Sequence, residues 1–542
     1  VHLSELPLIR GVNGWGGEPR KDTSIEDNPI RIRGEVFKRG MGVHAVSELV
    51  YPLAPQFKRF VAVVGVDDEK DSGSVTFEVQ ADQKSLFKSE KVTRTSDAAC
   101  IDVEIPKGSQ QLRLLVGDAG DGIGCDHADW ANAGFMTGGE KFTLPPPPPP
   151  PPPYGAESIF SGKDLAGQGL AAASWEGDAQ VWSVKDGVIR GKSKAAKQGT
   201  CLLWRGGKLR DFELRLKFRV QDGSAGVLYR AKELGSGRVS GYQAGNAAAL
   251  AEEGGRGPLA NAGDFVLIDD KGVKQSLGKV ADKPAPVKAK DWNELTIAAR
   301  GNHLVHTLNG LQTVELIDDA KEASREGVLA LELQAGAPTL VEFKDIFLKR
   351  LTGNYGKAIR LFNGKDLTGW TFSSDGQKGT WSAKDGVIVD TGKPAGYLRT
   401  IADYTNYTLR LQLRHVTQGN SGVLVRMVGE DKVWPKSIEA QGMFKNMGDI
   451  FNIGEFPMKT DPARTKGRHT LKMHPTNEGG VGEWKVYEIT LDGGNLEIAV
   501  NGLVQNTATE CWETPGKICL QSEGAEVEFR NLVLVPILPK AK

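Results

Sequence analysis

Two stretches, FELRLKFRVQDGSAGVLYR (Phe212 to Arg230) and YTLRLQLRHVTQGNSGVLVR (Tyr407 to Arg426), carry the same pattern in distant parts of the chain. In the second, Leu409, Leu411 and Leu413 alternate with polar residues, a Gly/Asn/Ser turn follows, and Val423 and Val425 resume the alternation. A period of two between turn residues is the mark of half-buried antiparallel strands, not of helices.

The match extends outward from these stretches. IFSGKDLAG (Ile159 to Gly167) is answered by LFNGKDLTG (Leu361 to Gly369), and WSVKDGVI from Trp182 by WSAKDGVI from Trp381. DWNELTI around Trp292 pairs with EWKVYEITL around Trp484, LNG at Leu308 with VNG at Val500, and LQAGAPTLVEFKDIFL with LQSEGAEVEFRNLVL. The spacing between partners drifts, so matching blocks are joined by loops of different length, and the pattern is a domain duplication. Many short strands with no sustained helical period fit a two-sheet sandwich. The N-terminal part has the same character at Phe60 to Gly65, Ser74 to Gln80 and Gln111 to Val116. The expected fold class is therefore all-β, with three β-sandwiches over 1–136, 158–351 and 357–538 and a linker over 137–157 that holds nine consecutive prolines, Pro145 to Pro153. Such a run is a stiff polyproline II spacer.

The 542 residues are enough for three or four domains, and 68 basic residues balance 68 acidic ones. That neutrality speaks against a nucleic-acid binder. No apolar stretch reaches the roughly 18 residues of a membrane helix, and the start at Val1 has neither the basic nor the apolar region of a signal peptide, so any such peptide is expected to have been removed. Five cysteines (Cys100, Cys125, Cys201, Cys511, Cys519) without CxxC spacing read mainly as buried free thiols, with Cys100–Cys125 or Cys511–Cys519 pairing as the alternative.

GWGG (Gly14 to Gly17), KRGMGVHA (Lys38 to Ala45), FVAVVGVDDE (Phe60 to Glu69), VTFEVQAD (Val75 to Asp82) and LLVGDAGDGIGCDHADWANA (Leu114 to Ala133) together resemble the NPCBM family of carbohydrate-binding modules. The resemblance implies a jelly-roll-like sandwich that binds sugar. Trp15 and Trp130 offer flat apolar faces for a pyranose ring, while His44, His127 and Asp129 offer partners for hydroxyls. The competing reading makes DHADW a structural corner with Trp130 in the core. The acidic turn Asp67, Asp68, Glu69, Asp71 is read as solvated in preference to a Ca²⁺ site.

LFNGKDLTGW, WSAKDGVI, GNSGVLVR, SIEAQ and LQSEGAEVEFRNL resemble the 3-keto-disaccharide hydrolase domain family, which implies a concanavalin A-like sandwich and cleavage of glycosides whose C3 hydroxyl has been oxidised to a ketone. A C3 ketone acidifies the C2 hydrogen, so a base removes it and the glycosidic oxygen leaves C1 before water adds back. Such a site needs a base near the working pH and an electrophile for the enolate oxygen, not the paired carboxylates of ordinary glycosidases.

Polar residues set into apolar strand blocks are the candidates: Glu439 as base or metal ligand, Arg426 as substrate or enolate clamp, and Gln441, two residues from Glu439 on the same strand face, as a hydroxyl reader. Asn420, Trp434, Asp449, His474, Glu478 and Gln521 complete the shell, with His474 an alternative base. Of cofactors, only a divalent metal (Ca²⁺ or a transition metal) comes into question. The absence of a GxGxxG fingerprint between strand and helix leaves C3 oxidation to another enzyme.

Aligning Gln243 with Gln441 puts Gly241 opposite Glu439 and Ser224 opposite Asn420, while Arg230 matches Arg426, so the first copy is expected to be non-catalytic. The second copy departs from the family pattern at Lys485, where the first copy has Asn293, and at Glu523, where many members have a His. The leading expectation is a secreted, periplasmic or cell-surface bacterial protein that anchors to a glycan and cleaves a 3-keto glycoside. The rival is a non-enzymatic lectin-like or surface-assembly protein, in which homo-oligomer or filament formation would be the function.

Overall fold

In the computed structural model, which describes Val1–Lys542 except residues 33–34, 71, 95, 97, 139–151, 167–173, 195–198, 249–264, 270–273, 279–286, 335, 337 and 540–542, the described secondary structure is strand apart from single turns of 3-10 helix. The chain divides into two compact units, Val1–Pro151 and Pro152–Lys542. Seven of the nine prolines of the expected spacer lie outside the described residues.

The first unit pairs two antiparallel sheets. One runs Ala99–Glu104, Arg59–Val66, His127–Met136, Gly40–His44, Arg20–Lys21; the other is built on Arg10–Val12, Ser47–Pro52, Gln111–Gly117 and Ser74–Ala81. Alternate residues such as Phe77, Val79, Leu112 and Leu114 meet Phe60, Val64 and Trp130 between the sheets. All five cysteines are free, with Cys201, Cys511 and Cys519 buried and Cys100 and Cys125 exposed, so the thiol expectation holds for three of them.

The second unit holds two sandwiches of matching topology. In the first, Gly327–Leu333, Ser224–Gly235 and Arg238–Ala248 are neighbours in one sheet; in the second, Lys517–Ser522, Gly422–Val428 and Lys436–Gln441 take the same places. Their partner sheets centre on Phe212–Asp222 and Tyr407–His415. Leu409, Leu411 and Leu413 point into the core as their alternation requires. The intervening polar residues do not face solvent, however: Thr408, Arg410 and Gln412 are buried as well. The reason is that the two partner sheets pack against each other. Arg300 of the first copy, 3% exposed, ion-pairs with its own Glu213 and, at 2.6 Å, with Glu488 of the second; Arg410 bonds Glu488 and Gln312, and Lys349 bonds Glu497. Buried charges of this kind stay charged only when they are paired. The packing engages one sheet of each sandwich, and Glu439 lies on the other sheet of the second.

Candidate functional site

Along the outer face of the second copy, backbone pairing aligns Cys519, Leu424, Glu439, Phe451 and His469 in one row, and Tyr397 with Gln521, then Gly422 with Gln441, in the next. Adjacent core positions, Val423, Val425, Ile438 and Ala440, point inward, which is why Glu439 points out. It is only 4% exposed. A Cβ placed on Gly422 would lie 3.0 Å from both Gln521 Oε1 and Glu439 Oε1, so the bare glycine lets these two groups converge above it. Asn420 donates through Nδ2 to Glu523 Oε2 at 2.6 Å, which sets a second carboxylate beside the first. Burial, followed by repulsion from Glu523, pushes the Glu439 carboxyl up to about 8, against the opposing pull of Arg468 and the Gln521 amide. Glu439 Oε1, both amide atoms of Gln521 and Asn420 Oδ1 are buried and lack a hydrogen-bond partner of sound geometry. Buried orphan polar atoms are costly, and a cluster of them on one patch marks a place shaped for a polar ligand.

Several expected residues lie elsewhere or do other work. Arg426 is not a substrate clamp. It is fully buried at positive φ, in a bulge where the ladder shifts register, and its guanidinium donates to the carbonyls of Thr405, Cys511, Trp512 and Gly493 and to Asn406 Oδ1. The bulge breaks the alternation that would have turned this side chain outward. Arg230 repeats the staple in the first copy, donating to the carbonyls of Arg210 and Gly301 and to Asp211. Gln441 accepts from Met443 N–H, so its oxygen closes its own turn. Asp449 accepts from His469 Nε2 and Lys472 N–H, and Glu478 accepts from the backbone of Lys445 and Met447. His474 is exposed, its N–H bound to Gln505, and it is not among the groups that set the Glu439 carboxyl. Trp434 is 39% exposed, in the loop before Lys436–Gln441.

Arg468 was not anticipated: it is a lone surface arginine in a loop, and its place above the ring of Phe451, with its charge reaching Glu439 and Glu523, is a product of strand pairing. The departure at Lys485 is structural. Its Nζ donates to the carbonyls of Gly480 and Glu483, as Asn293 Nδ2 donates to those of Lys288 and Asp291, so each fixes the loop before its strand. Among the described residues no third His, Cys, Asp or Glu joins Glu439 and Glu523 to complete a metal-binding group.

Among the described residues of the first unit the exposed large aromatic is Trp15, at 57%, lying on His44 with ring centroids 5.1 Å apart, while His127 meets both rings edge-on. His127 Nδ1 lies 2.6 Å from Glu69 Oε1, and Glu69 Oε2 accepts from Ser24 and Asn28. These hydrogen bonds overcome the cost of burial and hold the Glu69 carboxyl at about 2. Trp130 is a core residue, fully buried and edge-on to Phe77, so it presents no face to a ligand. Asp129 is also fully enclosed, and burial together with Asp67 beside it drives its carboxyl well above the usual range. The acidic turn is not simply solvated: Asp67 is buried, accepting from Arg31 and Glu69 N–H, and Glu26, Glu69 and His127 bring ligand atoms within 4.8 Å of one another.

A carbohydrate-active protein built of β-sandwiches is the class that this fold and these sites define. Residues 1–136 match the model of the NPCBM/NEW2 domain, and residues 155–349 and 357–535 each match that of the 3-keto-alpha-glucoside-1,2-lyase-like domain. The chain belongs to the 3-keto-alpha-glucoside-1,2-lyase-like family, with an NPCBM module ahead of the two copies. Alpha-1,3-galactosidase B of Akkermansia muciniphila is 30% identical over 126 residues, 23% of this chain and 16% of that protein. The chain spans 16% or less of the curated relatives it matches. Among solved structures, a CBM51 module from Clostridium perfringens GH95, in complex with methyl-galactose, is 36% identical and covers 25% of this chain and 99% of its own, with a TM-score of 0.24. The CBM66 module of Bacillus subtilis is 13% identical, covering 30% of this chain and 94% of its own, with a TM-score of 0.24.

Proposed function

We propose that the protein works outside the cell, that its first unit holds it to a glycan through the exposed Trp15, which is seated on the buried His44 and His127, and that the second copy cleaves 3-keto-α-glucosides by elimination. The observation that carries the catalytic part is Glu439, a nearly enclosed carboxyl with one orphaned oxygen, raised to about 8, facing the orphaned amide of Gln521. Raising a carboxyl makes its ionised form a stronger base, which is what abstraction of a carbon-bound proton requires.

In the reaction the ionised Glu439 takes the C2 proton, the C2–H electron pair forms C2=C3 as the carbonyl pair moves onto the C3 oxygen, and this enolate then collapses, restoring the C3 carbonyl and forming C1=C2 as the C1–O bond breaks. The protonated Glu439 then returns that proton to the departing alkoxide, leaving the base ready for a further turnover. Addition of water across C1=C2 completes hydrolysis. Negative charge that gathers on the C3 oxygen is met by Arg468, whose charge reaches both Glu439 and Glu523, and by the amides of Gln521 and Asn420. Arg426, bonded to backbone carbonyls inside the sandwich, takes no part in this. Incubating the protein with methyl 3-keto-α-glucoside and with its unoxidised parent tests the reading: release of methanol from the ketone alone is expected, and release from neither, or from both equally, would refute it.

A further inference from the structure

The ladder gives a different alignment of the two copies from the one the sequence suggests. Gly226, Val227 and Leu228 occupy the places of Gly422, Val423 and Leu424. Gln243 pairs with Leu228, as Glu439 pairs with Leu424, so Gln243 and not Gly241 stands at the Glu439 position. On the other side Val227 pairs with Leu331, as Val423 pairs with Leu520, which makes Glu332 the counterpart of Gln521 and Gln334 that of Glu523. The carboxylate has moved two strands over, across the strand that carries Gly422 or Gly226: the second copy sets Glu439 against Gln521, and the first sets Gln243 against Glu332.

The side chains follow the backbone. Gln243 Nε2 donates to Glu332 Oε2 above Gly226, where an added Cβ would collide with the Gln243 amide. Ser224 Oγ donates to Gln334 Oε1 at 3.1 Å, in the place of the Asn420–Glu523 bond. Gln243 is 1% exposed with its Oε1 unpartnered, and Gln334 Nε2 is unpartnered as well. The orphaned atoms of the first copy thus fall at positions that carry the catalytic constellation of the second. A relic under no demand for a ligand has no reason to keep buried amide atoms unsatisfied, because apolar substitution there relieves the cost.

We infer that the first copy carries a second sugar-binding site on its outer face, in which Glu332, Gln243 and Gln334 read a pair of neighbouring pyranose hydroxyls without cleaving the sugar. A carboxylate accepts from one hydroxyl while an amide both donates and accepts with the next, which is the complement of a vicinal diol. One acid set among amides, in place of two acids side by side, lacks the like-charge neighbour that the second copy sets beside its base. The inference rests on the chain's carbohydrate family and not on turnover at Glu439.

The test is nitrogen-15 NMR of the full-length protein titrated with methyl α-D-glucoside, methyl β-D-galactoside and N-acetylglucosamine, following the Gln243 side-chain amide, assigned by its loss in Gln243→Leu, and the Gly226 backbone amide. At least one sugar is expected to shift both signals saturably, with Glu332→Gln weakening that response tenfold or more at an unchanged melting temperature and Glu439→Gln leaving it intact. No saturable shift at either reporter with any of the three sugars overturns the inference, whatever the other sites do, as does a response that Glu332→Gln leaves unaltered. Failure of the cleavage assay above, with these shifts present, would count against Glu439 alone.

Discussion

Replacing Glu439 with Gln should reshape the dependence of stability on pH. The folded carboxyl titrates at about 8 and an unfolded one near 4.5. For an acid raised in the folded state, the native form binds the extra proton between these values, so stability is fully present below the lower one and is lost as pH rises through the higher. At about 1.36 kcal/mol for each tenfold change, wild type should lose about 4 kcal/mol from this group between about pH 5 and about pH 9. Glutamine keeps the shape and hydrogen-bonding atoms but does not ionise. Urea unfolding of both proteins at the two pH values should show Glu439→Gln gaining about 4 kcal/mol on wild type at the alkaline end, since all other titrating groups are shared. Parallel pH dependence in the two proteins would refute the claim that burial and Glu523 hold this carboxyl neutral.

Three further outcomes follow from the geometry. Glu523→Gln removes the repelling charge and should move the alkaline midpoint of Glu439 down by about one pH unit, read from the pH–rate profile or from carboxyl carbon NMR, with an unmoved midpoint contradicting it. Arg426→Ala strips donors from four backbone carbonyls and should cost about 3 kcal/mol or more in the sandwich, measured by thermal unfolding; a variant of normal stability that had lost only activity would restore Arg426 to the site. Trp130→Ala should destabilise the first unit by about 3–5 kcal/mol, whereas Trp15→Ala should melt like wild type and lose binding on a glycan array that retains the wild-type protein.

The strand pattern was readable because core positions on these strands are strictly alternate: Leu409, Leu411 and Leu413 on one, Val423 and Val425 on the next. Glu439 stood out for the same reason, as did Gln441 and Arg426, polar groups set among apolar strand residues, whereas Gln521 and Asn420 entered only as members of the surrounding shell. Arg426 misled because one bulged residue at positive φ reverses the face of whatever follows, and nothing in GNSGVLVR announces the bulge. The same kind of shift hid the match of Gln243 to Glu439: the identical letters Gln243 and Gln441 align by eye, while the ladder aligns partners of Leu228 and Leu424. Arg468 and the burial of Arg410 and Arg300 depend on loops and on the docking of one sandwich against the other, relations between residues far apart in the chain that no local spacing encodes. Trp15 sits in an exposed turn and Trp130 on a central strand with its ring in the core, a difference in placement that composition cannot assign.

The central claim is that Glu439 removes the C2 proton of a 3-keto glycoside. Its most direct test is the kinetic isotope effect on cleavage of methyl 3-keto-α-glucoside carrying deuterium at C2. The account predicts a primary isotope effect on kcat/KM in the wild-type protein, since the C2–H bond breaks during elimination. Cleavage at equal rates for the protium and deuterium substrates, with deuterium kept at C2 in the product, would contradict it.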